Sequence, residues 1–411
     1  MIKHLLKGVV AGSALLAMVG TAGAAEINVN LYGASAQFQY WTGQAGNFLV
    51  AQGCDNVKNA TQSGTLDGRD SGWTQGTCGE DIVNIRYTTN ASYDGIRAVT
   101  NDPAYNPDDC SIIGDRLQPS AADFADHPNV GTVTAHACMD VNIGASDVAA
   151  TTFQQESHGV EFGPLGGTHI DQSIYYPADL MDPEALNFQV DRPIVVPFGF
   201  FANTGVPFDN MTRLMAVSIF NGQVADWNAF DPSLTSQPMT VCLRHAGSGT
   251  HATLDAAIMR GDYPLVINEI PNTDILVTLG LAPTIWFNKG SSDEMRCVGH
   301  TSAPGGIGYA DVDKCIDGCI DPATGQGKYG SVKTMLWQGV NPETGKTVIQ
   351  NGIHDFWSAQ WLYSNETGTV KNWVDLLAAY ASSNSTHAYW SPQDDMNWEK
   401  TTDFTLPKKK N

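Results

Sequence analysis

Met239-Thr-Val-Cys-Leu-Arg244, then His245-Ala-Gly-Ser-Gly-Thr250, then Leu254-Asp-Ala-Ala-Ile-Met259 is the stretch that decides how this chain is read. It reads as a strand, a glycine-rich break and a helix. The first turn of a helix leaves its N–H groups without partners, and the helix dipole adds partial positive charge there. Gly247 and Gly249 let the backbone approach a ligand, Ser248 and Thr250 add hydroxyls, and Arg244 adds a forked cation suited to oxyanions. The same residues also suit a plain helix start capped by Ser or Thr. A nucleophilic Ser248 is disfavoured, because a nucleophile elbow needs glycine at the position of Ala246 and His245 is too near in sequence to act as its base. No Gly-Lys-Ser/Thr follows, so the stretch is not a Walker loop.

On either side the pattern alternates strands with helices, which implies an α/β architecture. Residues 26–32 alternate as a strand does, a Gly/Ala/Ser turn follows at 33–36, and 38–50 suits a helix. Ile82–Tyr87 reads as a strand, Asp94–Val99 opens a helix, and Val141–Ile143 is a short strand. Residues 193–202 form a continuous apolar run, the mark of a strand buried on both faces. Met211–Phe220 and Val370–Leu377 have helical spacing, and Gly305–Tyr309 is a strand. Residues 52–80, 100–137 and 150–190 are rich in polar and turn-forming residues and read as inserted loops.

The 411 residues carry 43 acidic and 22 basic side chains, a net charge of −21. That balance excludes the basic footprint of general nucleic-acid binding. It also means that any anion site must rest on local donors. The exposed-looking Lys408-Lys409-Lys410 end reads as solvated. The chain opens with Lys3 and Lys7, an apolar run from about 9 to 19 and small residues at 22–25, the order of a cleaved export signal, residues 1–25. A periplasmic or secreted location is therefore expected. No later stretch suits an integral membrane segment. Eight cysteines (Cys54, Cys78, Cys110, Cys138, Cys242, Cys297, Cys315, Cys319) then read as disulfides. Pairing in chain order is simplest, with Cys110 and Cys138 stapling the second insertion; connectivity itself stays open. No metal or cofactor is expected from these residues, and no catalytic set is found.

Four segments in order resemble the periplasmic phosphate-binding protein of the high-affinity phosphate ABC importer, within the type II periplasmic binding proteins. Gly33-Ala-Ser-Ala-Gln-Phe38 is similar to that family's Gly-Ala-Gly-Ala-Thr-Phe, and Ser92-Tyr-Asp-Gly-Ile-Arg97 to its Ser-Ser-Gly-Gly-Val-Lys. Asn142-Ile-Gly-Ala-Ser-Asp147 resembles its Asp-Phe-Gly-Ala-Ser-Asp, and Arg244 through Thr250 its Arg-Ala-Asp-Gly-Ser-Gly-Thr. Softer matches lie at Phe220–Asn228 and Gly306–Tyr309. The resemblance implies two α/β lobes joined by two crossover strands. Lobe 1 is expected over 26–195 and 320–411, lobe 2 over 196–319, with 193–202 as a crossover. It implies a non-catalytic solute-binding protein that captures phosphate or a related tetrahedral oxyanion between the lobes and hands it to an ABC permease.

Carried over by position, the ligand-binding residues are Gln37, Phe38 through its N–H, Ser92, Asp147, Arg244, Ser248, Gly249 and Thr250. A carboxylate facing an anion is repulsive unless it accepts a proton from it. Asp147 thereby accepts phosphate and penalises sulfate; its other reading is a helix cap. Gln37 stands where the family has threonine, and its longer amide is expected to donate while narrowing the site. Ala246 stands where the family has an aspartate that holds the arginine, so Arg244 is expected to be less restrained. The insertions leave room for a different reading, an extracellular structural protein that reuses the fold and self-associates through them.

Overall fold

The computed structural model describes residues 24–66, 68–103, 106–154, 159–160, 169–170, 180–260, 283–319 and 327–410. The export segment lies outside these residues up to position 23, as does much of 150–190. In chain order the first part gives β1 (Glu26–Ala34), α1 (Phe38–Ala51), β2 (Asp55–Leu66), β3 (Arg69–Cys78), β4 (Asp81–Asn90), α2 (Ser92–Val99), β5 (Arg116–Asp123), β6 (Val130–Met139), β7 (Ile143–Ser146) and β8 (Gln189–Asp191). Then come β9 (Ile194–Asn203), α3 (Arg213–Phe220), β10 (Thr240–Arg244) and α4 (Gly249–Thr253), which continues in wider turns over Leu254–Met259. The chain ends through β11 (Thr284–Asn288), α5 (Ser291–Val298), β12 (Gly306–Asp311), β13 (Val332–Thr334), β14 (Trp357–Ala359), β15 (Trp361–Ser364), α6 (Gly368–Ser383) and β16 (Ser391–Pro392).

Two sheets organise the molecule as a two-lobed α/β fold. The first has nine strands in the order β8-β15-β7-β1-β4-β3-β2-β6-β5. The second runs β11-β10-β12-β9-β13, with β14 and β16 also paired to β9. The β9 strand joins them. Its first half, Ile194 to Pro197, pairs with β14 and β16, and its second half, Phe198 to Asn203, with β12 and β13. All ten of its residues are buried, as the continuous apolar run anticipates. Phe198, Phe200, Phe220, Phe356 and Trp337 pack around it, with ring centroids 5.1–5.7 Å apart. The chain returns across the molecule at 357–364, where β14 pairs with β9 and β15 with β7 and β8. Among the described residues, two antiparallel crossings therefore link the lobes.

The return falls later than the expected boundary at 320. Val332–Thr334 pairs with β9 in the second sheet, and Leu336–Trp337 pairs with Asn210–Met211 ahead of α3. Strands this short leave no readable period in sequence, so this stretch could not be assigned to the second lobe beforehand.

The first two polar insertions, 52–80 and 100–137, also carry strands. Residues 55–66 and 69–78 form an antiparallel pair that continues the first sheet from β4, tied at its base by Cys54–Cys78. Along β2, Asp55, Thr61 and Ser63 are exposed while Lys58 and Asn59 are half-buried, so no apolar alternation marks it. The β5–β6 hairpin then folds back across the sheet. The Gln118 amide donates to Leu31 O at 3.1 Å, and the Arg86 guanidinium donates to Pro119 O at 2.8 Å. Cys110–Cys138 closes this excursion, and Cys242–Cys297 and Cys315–Cys319 complete the pairing in chain order. The lysine end is exposed at Lys408–Lys409, as expected, and is also strand-paired: Lys408–Lys409 lies against Trp398–Glu399, and Lys410 donates to Gln393 O at 2.7 Å.

Glycine sets how deeply α2 sits. A Cβ on Gly95 would lie 2.6 Å from Ala145 O, and one on Gly144 would lie 2.4 Å from Gly95 O. Gly33, at φ +132°, faces the same oxygen of Ala145. The helix therefore rests directly on the backbone of β1 and β7, which brings its first residue, Ser92, level with the end of β7.

Candidate functional site

The end of β7, the start of α2 and the start of α4 meet at the seam between the lobes. Ser146 ends β7 and Asp147 follows it. The Asp147 backbone N–H donates to Ser92 Oγ at 3.0 Å, and its carboxyl is hydrogen-bonded by the hydroxyls of Ser92 and Thr250. Ser92 belongs to the first lobe and Thr250 to the second, so one carboxyl bridges both. The reading of Asp147 as a helix cap is not met: the next turn, Ala150–Thr152, has no side-chain cap.

Gly249 is the closest point of approach. A Cβ there would lie 2.2 Å from Ser92 Oγ and 2.6 Å from Asp147 Cβ, so only glycine lets the lobes touch. The Tyr93 N–H donates across the seam to Gly247 O at 3.1 Å. Ser248 caps α4, its hydroxyl accepting from His251 N. The sequence places glycine where backbones meet and a hydroxyl residue where a helix begins, and the fold uses both.

Arg244 ends β10 and is buried. Its guanidinium donates to Ser291 Oγ at 2.7 Å and to Lys289 O at 2.9 Å, both at the entrance to α5. The alanine at 246 therefore does not leave Arg244 loose. A different segment holds it, packed there by Cys242–Cys297, which joins β10 to α5. No motif marks Ser291 or Lys289, so sequence reading missed them. Tyr309 adds a further brace: its hydroxyl accepts from Arg244 N at 3.2 Å and bonds His251 Nδ1 at 2.5 Å. The soft match at Gly306–Tyr309 was its only signal.

Two expected ligand contacts have other partners. The Phe38 N–H donates to Ser35 O, closing a tight turn over Ser35–Gln37 that leads into α1. Gln37 is buried; its amide nitrogen donates to Ser146 O at 3.0 Å, and its oxygen accepts from Trp41 Nε1 at 2.8 Å. Gln37 thus braces the end of β7 beside Asp147 from within the first lobe, a structural bridge that its extra length permits.

Burial dominates the electrostatics. It pushes the Asp147 carboxyl up to about 7; nearby Asp311 adds to the rise, and Arg244 opposes it. Burial likewise holds Glu294 and Asp311 well above the usual carboxylate range. His251 is pushed down to about 3 by burial and then by Arg244, and His245 is also lowered, so both rings are neutral at pH 7. Arg244 is then the dominant fixed charge at the seam. Its Nε and the Asp147 Oδ1 are buried without hydrogen-bond partners among the described residues, one donor and one acceptor. That pair matches an anion that both accepts and donates a hydrogen bond. Among the described residues no group of three or more His, Cys, Asp or Glu side chains is placed to hold a metal ion.

No protein-family model and no curated protein matches the sequence. Among solved structures, the chain is similar to the phosphate-binding protein of Stenotrophomonas maltophilia, with 11% identity, a TM-score of 0.45 and 90% of this chain and 87% of that one covered. It is similar to an ABC-type phosphate transport receptor of Vibrio cholerae, with 12% identity, a TM-score of 0.42 and coverages of 85% and 93%. A human phosphate binding apolipoprotein gives 12% identity, a TM-score of 0.45 and coverages of 88% and 87%. Nothing about this chain's ligand follows from values this low, and the two-lobed fold stands on its own two sheets and their crossing.

Proposed function

We propose that this protein is an extracytoplasmic, non-catalytic solute-binding protein that captures inorganic phosphate, or an oxyanion of like protonation, between its lobes for an ABC importer. One observation carries the reading. Ser92, Asp147, Arg244 and Ser248–Thr250 come from distant segments and converge on one seam. Arg244 supplies charge, the hydroxyls and the start of α4 supply donors, and Asp147 supplies the acceptor that a protonated phosphate needs and sulfate cannot use. The lobes touch at Gly249, so the ligand reaches the seam when they part about the β9 and 357–364 crossings. The four disulfides and the export-like first segment support a location outside the cytoplasm.

Calorimetric titration of the ligand-stripped protein tests this. Phosphate should bind with sulfate excluded, and Asp147→Asn should narrow that difference. Sulfate exclusion should also strengthen as pH rises through 7, because the ionised Asp147 accepts a proton whereas the neutral acid can donate one.

A second reading is favoured by the direct bonds across the seam. Tyr93 to Gly247, with Gly249 against Ser92, joins the lobes through the protein's own groups. A structural protein that reuses the fold would give no heat with either anion while remaining folded.

A further inference from the structure

Beside the seam, between the lobes, lies a cavity of about 850 Å³. Ser35, Ala36, Phe38, Gln39 and the β2–β3 hairpin form one wall; the start of α5, Asp311 and Lys314 contribute to the other. Cavities of roughly 300–1,000 Å³ suit whole organic ligands, so orthophosphate would fill only part of this one.

The cavity inverts the charge of the chain. Arg69, Lys289, Arg296, Lys314 and Lys328 line it against three carboxyls, Asp70, Asp293 and Asp311, although acidic side chains outnumber basic ones 43 to 22 overall. Some of these cations are fixed in place. Arg69 pairs with Asp108 and Arg296 with Asp293, each at 2.7 Å, and Lys314 lies 4.0 Å from Asp311. The Lys328 ammonium stands over the Tyr329 ring, 5.0 Å from its centre, on an exposed side chain. The eight-residue α5 directs its first turn, with Ser291 and Ser292, into the same space. Ser291 also accepts from Arg244, so the cavity begins one side chain away from the guanidinium at the seam.

We propose that this cavity receives the second anionic group of a diphosphorylated ligand, the first phosphate lying at the seam and the second among Arg296, Lys328 and the start of α5. This rests on the reading of the seam as a phosphate seat. It extends that reading from orthophosphate to ligands of the pyrophosphate and bisphosphate class.

Calorimetry with inorganic pyrophosphate, orthophosphate and glycerol 3-phosphate tests it, on the wild-type protein and on the Arg296→Gln/Lys328→Gln double variant. Both substituted side chains are exposed, so the variant should fold, which circular dichroism checks. Pyrophosphate is expected to bind about tenfold tighter than orthophosphate, and the double variant to lose roughly that factor for pyrophosphate alone. Glycerol 3-phosphate, with an organic body and no second anionic group, should bind no tighter than orthophosphate. Equal affinities for the two inorganic anions, an equal loss of both in the double variant, or glycerol 3-phosphate binding more tightly than pyrophosphate would each overturn the proposal. Pyrophosphate binding that depends on Arg296 and Lys328, with no heat from orthophosphate, would keep the cavity assignment and sink orthophosphate as the seam's ligand. Silence towards all three would sink both.

Discussion

Asp147 and Gly249 meet at the closest contact of the seam, and each makes a prediction. Burial pushes the folded Asp147 carboxyl up to about 7, from its ordinary value of 3.8. Between those values the unfolded chain has released a proton that the folded chain retains, so this group's contribution to stability is full below pH 4 and is lost as pH rises through 7. Asp147→Asn does not titrate. Its stability relative to wild type should therefore rise between pH 4 and pH 8, by an amount on the order of a few kcal/mol; urea unfolding at the two pH values measures it. Gly249→Ala is expected to act differently. The added methyl would meet Ser92 Oγ and Asp147 Cβ across the seam. The variant should fold with little change within each lobe, close poorly and bind phosphate more than about tenfold more weakly. Calorimetry read beside a thermal melt separates loss of closure from loss of fold.

Two elements place the partners of these residues: α2 carries Ser92, and α5 holds Arg244. Gly95 allows α2 to rest on the backbone of β1 and β7, so Gly95→Ala should push the helix outward, carry Ser92 away from Asp147 and lower stability by roughly 1–3 kcal/mol. The α5 helix holds Arg244 through Ser291 and is tied to β10 by Cys242–Cys297, which spans 55 positions. For a closed loop of that length the chain-entropy argument gives about 4 kcal/mol. Replacing both cysteines with alanine should cost up to this amount in urea unfolding. It should also weaken anion binding, because the segment that fixes the guanidinium is freed. A loss of stability with unchanged binding would show that the hydrogen bond to Ser291 suffices by itself.

Across the whole molecule the lobes are joined by two antiparallel crossings and meet again at the seam. A ligand at Asp147 must separate Gly249 from Ser92 on its way in. Ligand-stripped protein should therefore sample a wider form, and small-angle scattering should show its radius of gyration falling when phosphate is added. Mass action should raise its melting temperature over the same titration. An unchanged radius together with an unchanged melting temperature would point to a permanently closed seam, in line with the structural reading.

The residues themselves announced the α/β alternation, a strand over 193–202 buried on both faces, the disulfide-rich character and a hydroxyl-and-glycine turn after Arg244; that the buried strand crosses between lobes was implied by the resemblance alone. Each of these rests on local chemistry: a run of apolar side chains, an even set of cysteines in a chain with an export-like start, a helix start that needs donors. Motif order brought Ser92, Asp147 and Thr250 into one list. Their contact is a tertiary fact, made possible by glycines whose missing side chains matter only when another backbone arrives. The same holds where expectation and structure part. Polar strands such as β2 pair through backbone hydrogen bonds that side-chain periodicity does not record. Gln37 and the Phe38 N–H found partners within their own lobe, and Arg244 is held by Ser291 and Lys289, some 45 positions away. A side chain's identity fixes what it can bond, and only folding brings the partner within reach.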